Sequence, residues 1–243
     1  MKIALAAVPV KTKNLPFNIE QMKTAMAQCR GEADLILFGE SVLQGFDCLC
    51  WEYDKDMNMA VSIYDAEINE LRIAAKENGL AVSFGYIERC TDRLYSSQIL
   101  IGSDGLIVHN FHRVSPGWKE PIADERYAEG NHFERFVLND KRLAIGLCGD
   151  LWQEGRPAEM KELNADAVLW PVWCDYNVEA WNSTIKQEYA QQAALCGDHV
   201  LLVNPFCVDG FGDCAAGGAL HFCRGGIARE MEAGKSGILI VEI

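Results

Sequence analysis

Apolar residues in this chain come in short solid runs more often than in strict alternation. Residues 3–10 (IALAAVPV), 35–38 (LILF), 81–87 (AVSFGYI), 143–147 (LAIGL), 167–171 (AVLWP) and 200–204 (VLLVN) are such runs. Short apolar runs of this kind predict strands covered on both faces. Between them the apolar positions recur at helical spacing. Residues 14–30 carry Met22, Met26 and Cys29 near one face, and residues 54–78 carry Met59, Ile63, Ile68, Leu71 and Ala75 before Gly79 closes the helix. Further helices are expected over 154–163 and over the Ala- and Gln-rich 182–196. Residues 97–101 run into Ser103-Asp104-Gly105, a turn signal that predicts a hairpin with 106–111. Segments 133–138 and 142–147 form another strand pair, and 217–222 and 237–243 two closing strands around Arg224-Gly225-Gly226. Strands alternating with helices, plus hairpins, predict a layered α/β fold with mixed sheets. No linker, repeat or low-complexity segment interrupts the pattern, so residues 1–243 read as one domain.

Two strand ends carry reactive side chains. The segment RLAIGLCGDLWQE, residues 142–154, leaves its apolar run at Cys148-Gly149-Asp150, and LILF stops at Gly39-Glu40. In open α/β sheets ligands bind beyond the carboxyl ends of strands, so a thiol and a carboxylate there are a candidate nucleophile and base. A carboxylate accepts a thiol proton most readily when burial raises its pKa. The competing reading of Cys148 is a buried structural thiol, the commonest role of free cysteine. Between the two lies RVSPGWKEPIADERYAEGNH, residues 113–132, in which no periodicity survives. A long surface loop is expected there, and loops of that length in compact domains are usually functional.

Charge narrows the function classes. A formal net charge of −13 argues against nucleic acid and anionic membrane as partners, since both need clustered Lys and Arg. The apolar amino-terminal stretch is too short for a signal peptide and reads as the first core strand, and no run approaches the ~20 residues of a membrane span. With no secretory signal, the ten scattered cysteines read as reduced thiols of a cytoplasmic protein. Cys48-Leu49-Cys50 lacks zinc-site spacing, and His109 and His112 lack a third ligand, so no metal is expected. Gly234-Lys235-Ser236 lacks the earlier glycine and following helix of a phosphate loop. Asn182-Ser183-Thr184 carries no meaning in a cytosolic chain, and the five histidines have no G-x-S-x-G partner.

Taken together, KIALAAVPV, ADLILFGESVLQGF around Glu40, GLIVHNFHRV around Arg113, DERYAEGNHF around Glu125 and RLAIGLCGDLW around Cys148 resemble the successive blocks of the nitrilase superfamily of carbon–nitrogen hydrolases. ADAVLWPVW, the helix leading to VLLVNPF, and GGALHFCRGGIARE are similar to its second half. The resemblance implies an α-β-β-α sandwich, commonly paired into homodimers or higher homo-oligomers through a helical layer, and a cofactor-free hydrolase of small-molecule amides. It implies Cys148 as nucleophile, Glu40 as general base, Gly149 N–H as oxyanion donor, and Glu125 as the glutamate that supports substrate positioning, with Glu120 its rival. The chain departs from the family at Phe111-His112-Arg113, where arginine takes the place of the catalytic lysine. Arg113 keeps the charge in a planar fork, and Lys119 is a possible substitute. Trp118, Trp152, Trp173 and Phe206 are candidate pocket walls. The departure at Arg113 keeps open a ligand-binding member without turnover, and the same thiol chemistry would also serve acyl transfer to an amine.

Overall fold

The computed structural model describes residues 1–243. Its strands are β1 (Lys2–Ala7), β2 (Pro9–Val10), β3 (Leu35–Phe38), β4 (Ala81–Cys90), β5 (Arg93–Ile101), β6 (Ile107–His112), β7 (Arg135–Leu138), β8 (Lys141–Ile145), β9 (Ala167–Pro171), β10 (His199–Val203), β11 (Phe206–Cys207), β12 (Ala219–Cys223), β13 (Gly226–Met231) and β14 (Gly237–Glu242). They build two six-stranded mixed sheets, ordered β14-β1-β3-β4-β5-β6 and β13-β12-β10-β9-β8-β7, and the short pair β11-β2. Within each sheet the three central strands run parallel and the rest pair antiparallel.

Strand alternation explains why the central strands are apolar throughout. Ile3, Leu5, Leu35 and Leu37 face the second sheet, in one core with Leu143, Ile145, Leu169 and Leu201. Ala4, Ala6, Ile36 and Phe38 point the other way, onto Ile19, Met22 and Met26 of helix α1 (Leu15–Gln28) and Ile68 and Leu71 of helix α3 (Ala66–Asn78). On the far side, helix α6 (Lys186–Ala194) lays Tyr189, Ala190 and Ala193 on the second sheet. The architecture is the expected α-β-β-α sandwich.

The structure corrects three boundaries. The single helix expected over 54–78 is two, α2 (Tyr53–Met59) and α3, because Val61 leaves the helical path to bridge the sheet: its N–H donates to Ile87 O and its carbonyl accepts from Arg89 N. The last helix is longer than expected. It starts with a short turn α5 (Val178–Ala180) behind the cap Asn177, passes through a π-helical turn at Trp181–Ile185 and continues as α6. Strand β13, beyond the Arg224-Gly225 turn, has no counterpart among the expected elements. The 113–132 segment is irregular as expected, yet it is no simple surface loop: Arg113, Val114, Ser115, Trp118, Tyr127 and Ala128 are buried. Trp118 packs with Trp51 and Tyr127 in a small apolar cluster beside the main core. Helix α4 (Arg156–Glu162) follows the Cys148 turn. No helix of the chain is long and apolar enough to cross a membrane.

Candidate active site

The site forms where the carboxyl ends of β3 and β8 meet between the sheets. Beyond β3 the Glu40 N–H donates to Val172 O, just past β9, at 3.3 Å, which carries the carboxylate into the interior. Ser41 turns the chain with φ of 49°, and a Cβ on Gly85 would lie 2.3 Å from Ser41 N, so only glycine lets β4 pass so close to the turn. Glu40 is fully buried. Its Oε1 accepts from Arg113 Nη1 at 2.7 Å and from Ser96 Oγ at 3.2 Å, while Oε2 has no hydrogen-bond partner. Orphaned buried carboxylate oxygens are rare, and each asks for an explanation.

Arg113 reaches this carboxylate because it continues from β6 past β5, its N–H donating to Ser96 O at 2.9 Å. Its Nε donates to Ser115 Oγ at 3.0 Å. Its Nη2 lies where a side chain on Gly149 would have to go, 2.7 Å from that residue's ideal Cβ position. The guanidinium therefore spans from the Glu40 carboxylate to the backbone after Cys148. Burial works against its charge, but the negative groups around it, Glu40 first and then Cys148 and Asp150, outweigh that and raise its pKa.

Cys148 stands just past β8 with φ of 40°, a left-handed conformation that costs a non-glycine residue energy and clusters at functional sites. Three features hold the turn. Its carbonyl accepts from Trp170 Nε1 at 2.9 Å, its Sγ lies 3.7 Å from Trp173 O, and the buried Asp150 ties down its neighbours. Asp150 Oδ2 accepts from Leu147 N at 2.9 Å, and Oδ1 accepts from Val114 N and Ser115 N at 3.1 and 2.8 Å. One carboxylate thus clamps the Cys148 turn to the segment that carries Arg113. Burial pushes the Asp150 carboxyl up to about 6 in spite of these bonds and of Arg113. A second thiol is close by: hydrogen bonding with Cys148, then burial, pushes Cys174 well above the ordinary thiol range. Asn204 holds Cys174, accepting from its N–H at 2.9 Å and donating to its carbonyl at 2.8 Å. All ten cysteines are free.

Other expected residues lie elsewhere. Glu125 is exposed and makes no polar contact with Glu40, Arg113 or Cys148, and Glu120 is exposed as well. Lys119 is engaged inside its own loop, donating to Tyr127 O at 2.8 Å and pairing with Glu129 at 2.6 Å. Trp152 and Trp173 line a cavity of ≈ 340 Å³ with Cys148 and Gly149. Trp118 does not line it, and Phe206 packs in the β11-β2 pair. Asp150, Ser96 and Cys174 escaped the sequence reading. Asp150 carried a signal as the first carboxylate after the thiol, whereas Ser96 depends on strand register alone.

The family model for carbon–nitrogen hydrolases matches residues 2–243. The chain is 23% identical to an (R)-stereoselective amidase of a Pseudomonas species over 70% of its own length and 59% of that protein's. It is 32% identical to an arylacetonitrilase of Hypocrea virens over 51% of its own length and 39% of that protein's. Among solved structures it superposes with a TM-score of 0.79 at 17% identity on an amidase from Nesterenkonia sp. AN1, a mutant with acrylamide added to its active-site cysteine; the match covers 100% of this chain and 93% of that one. A CN-hydrolase superfamily protein from Xanthomonas campestris with an arsenic adduct in its active site superposes with a TM-score of 0.80 at 18% identity over 99% and 89% of the two chains. The chain belongs to the carbon–nitrogen hydrolase family, the nitrilase superfamily.

Proposed function

We propose that the protein hydrolyses the carbon–nitrogen bond of a small-molecule amide through a thioester on Cys148. Glu40 takes the thiol proton, and the thiolate attacks the amide carbonyl carbon. Negative charge collects on the carbonyl oxygen, where Gly149 N–H and the Arg113 guanidinium stabilise it. The C–N bond then breaks, and the nitrogen leaves as ammonia or an amine with the proton Glu40 had taken. A water gives its proton to Glu40 and adds to the thioester; collapse releases the carboxylic acid and restores the thiol.

The observation that carries this reading is the unpartnered Oε2 of buried Glu40, on a carboxylate whose other oxygen is bound by the cation that leads to Gly149. A purely structural carboxylate would have both oxygens satisfied. The left-handed turn at Cys148 supports it as a second, independent sign. Arg113 takes the lysine's place as an oxyanion cation by virtue of length: its fork binds the base with one nitrogen and leaves another at the turn.

The test is ammonia release from a panel of primary amides, with Cys148→Ala beside the wild type. The wild type is expected to turn over and to show an acyl adduct on Cys148 by intact mass. Equal release by the two proteins would sink the reading. A ligand-binding member without turnover draws on the same ion pair, since Arg113 occupies one oxygen of the base. Iodoacetamide separates the two: a nucleophile reacts faster at neutral pH than the other nine thiols, and an inert Cys148 favours binding alone.

A further inference from the structure

The cavity beside Cys148 has a chemical character that the proposed reaction does not require. Its walls are Trp152, Trp173, Tyr176 and Tyr189, and its remaining charged lining is Asp175 and Glu188, with no Lys, Arg or His. Both carboxylates are exposed at the cavity mouth, and neither has a hydrogen-bonding or ionic partner within the chain. More negative charge lies behind Trp173. Its indole N–H donates to Asp213 O at 2.6 Å, its ring stacks on Phe46 at 6.0 Å, and Asp47 beside Phe46 accepts from Asp213 N at 2.7 Å. Burial first, and then the charges of Asp213, Asp175 and Glu120, raise the Asp47 carboxyl.

The cations near the site are already committed. Arg113 is buried against Glu40, Lys119 is bound to Glu129, Lys186 to Glu230, and Lys13 lies over the Phe211 ring. The aromatic walls are independent of the carboxylates and point the same way, because ring faces attract cations.

We infer that the cavity selects a positively charged substrate, an amide that carries an ammonium or guanidinium group. This rests on the amide-hydrolase reading for the reaction, but not for the binding. The cation sits among the aromatic walls with Asp175 and Glu188 as counter-charges, and the amide carbonyl is directed to Cys148. Neutral amides of equal size lack that counter-charge, and carboxylate-bearing amides are repelled.

The experiment uses the whole protein and two readouts. In the first, cationic trimethylammonium-ethyl, neutral methyl and anionic sulfonatoethyl methanethiosulfonates compete for the thiols, and peptide mass spectrometry follows Cys148 against Cys50 and Cys223. Referencing to those thiols removes the general pull of a chain of net charge −13. The cationic reagent is expected to exceed the anionic one at Cys148 by about tenfold more than at the reference thiols, and the Asp175→Asn, Glu188→Gln double variant to lose most of that excess. No excess, or one that survives the double variant, overturns the inference. In the second, kcat/KM is compared for an aminoalkyl amide and its isosteric alkyl amide. Hydrolysis of both at equal rates rejects the charge preference while sustaining the reaction. Hydrolysis of neither, with the reagent preference intact, rejects the reaction while sustaining the cation site.

Discussion

Two carboxylates are buried at the first sheet, Glu40 just past β3 and Glu88 on β4, and they have been treated in opposite ways. Glu88 on β4 is satisfied at both oxygens: Oε1 accepts from Asn110 Nδ2 at 3.1 Å, and Oε2 accepts from Ser97 Oγ at 2.7 Å and Asn110 Nδ2 at 2.9 Å and lies 2.9 Å from His112 Nε2. Glu40 has one oxygen held and the other bare. The partner sets come from neighbouring residues. Ser97 pairs with His112 across β5 and β6 and serves Glu88; Ser96 and Arg113, one step along each chain, serve Glu40. Because successive side chains point to opposite faces, one hairpin supplies both sites. Full satisfaction marks a carboxylate that holds structure together, and an open lone pair marks one kept for chemistry.

The comparison is most exposed to Glu40→Gln. Loss of the proposed base is expected to cut kcat by about 10²–10⁴-fold by steady-state assay, while calorimetry reads the separate cost of leaving buried Arg113 without its counter-charge. A variant that loses stability and keeps its rate reverses the assignment. Arg113→Met comes next: it removes the proposed oxyanion cation and strands Glu40, so turnover is expected to fall by roughly 10²–10³-fold and stability by several kcal/mol. A denaturant titration beside the assay separates the two losses. Glu88→Gln is expected to do the converse of Glu40→Gln, costing about 1–3 kcal/mol of stability with kcat nearly unchanged.

Much of the fold was legible because strands covered on both faces betray themselves as unbroken apolar runs, as at LILF and LAIGL. The break between α2 and α3 was not, since Met59 and Ile63 keep helical spacing across a segment that tertiary pairing of Val61 with the sheet pulls straight. At the site, Glu40 and Cys148 were legible as reactive groups at strand ends, where local sequence alone decides the position. Glu88 was missed because β4 runs on beyond the expected end at Ile87 and buries a carboxylate that reads as a turn residue. The Arg113–Glu40 contact lies 73 residues apart in sequence and depends on hairpin register, which no local pattern encodes.

The smallest effect is one of pH. Burial pushes the Glu88 carboxyl up, but hydrogen bonds from His112, Ser97 and Asn110 together outweigh it and hold the pKa below the ordinary 4.5. A carboxyl lowered on folding stabilises the protein above its unfolded value, and that contribution is lost as pH falls through the folded one. Acid unfolding below about 4.5 is therefore expected to be shallower in Glu88→Gln than in the wild type. Asp150 acts with the opposite sign. Raised to about 6 from 3.8, it keeps a proton in the folded state that the unfolded chain has released, so its contribution falls as pH climbs between those values. Denaturation midpoints measured from pH 3 to 7 resolve both slopes.

The connection between β4 and β5 is only the pair Thr91-Asp92, with Thr91 in the left-handed region. A single residue inserted within β5 ahead of Ser96 would turn the strand over by one position, bringing Ser96 to the Glu88 side and replacing the hydroxyl that faces Glu40 with whatever residue precedes it. The length of that strand is therefore fixed by both acids at once.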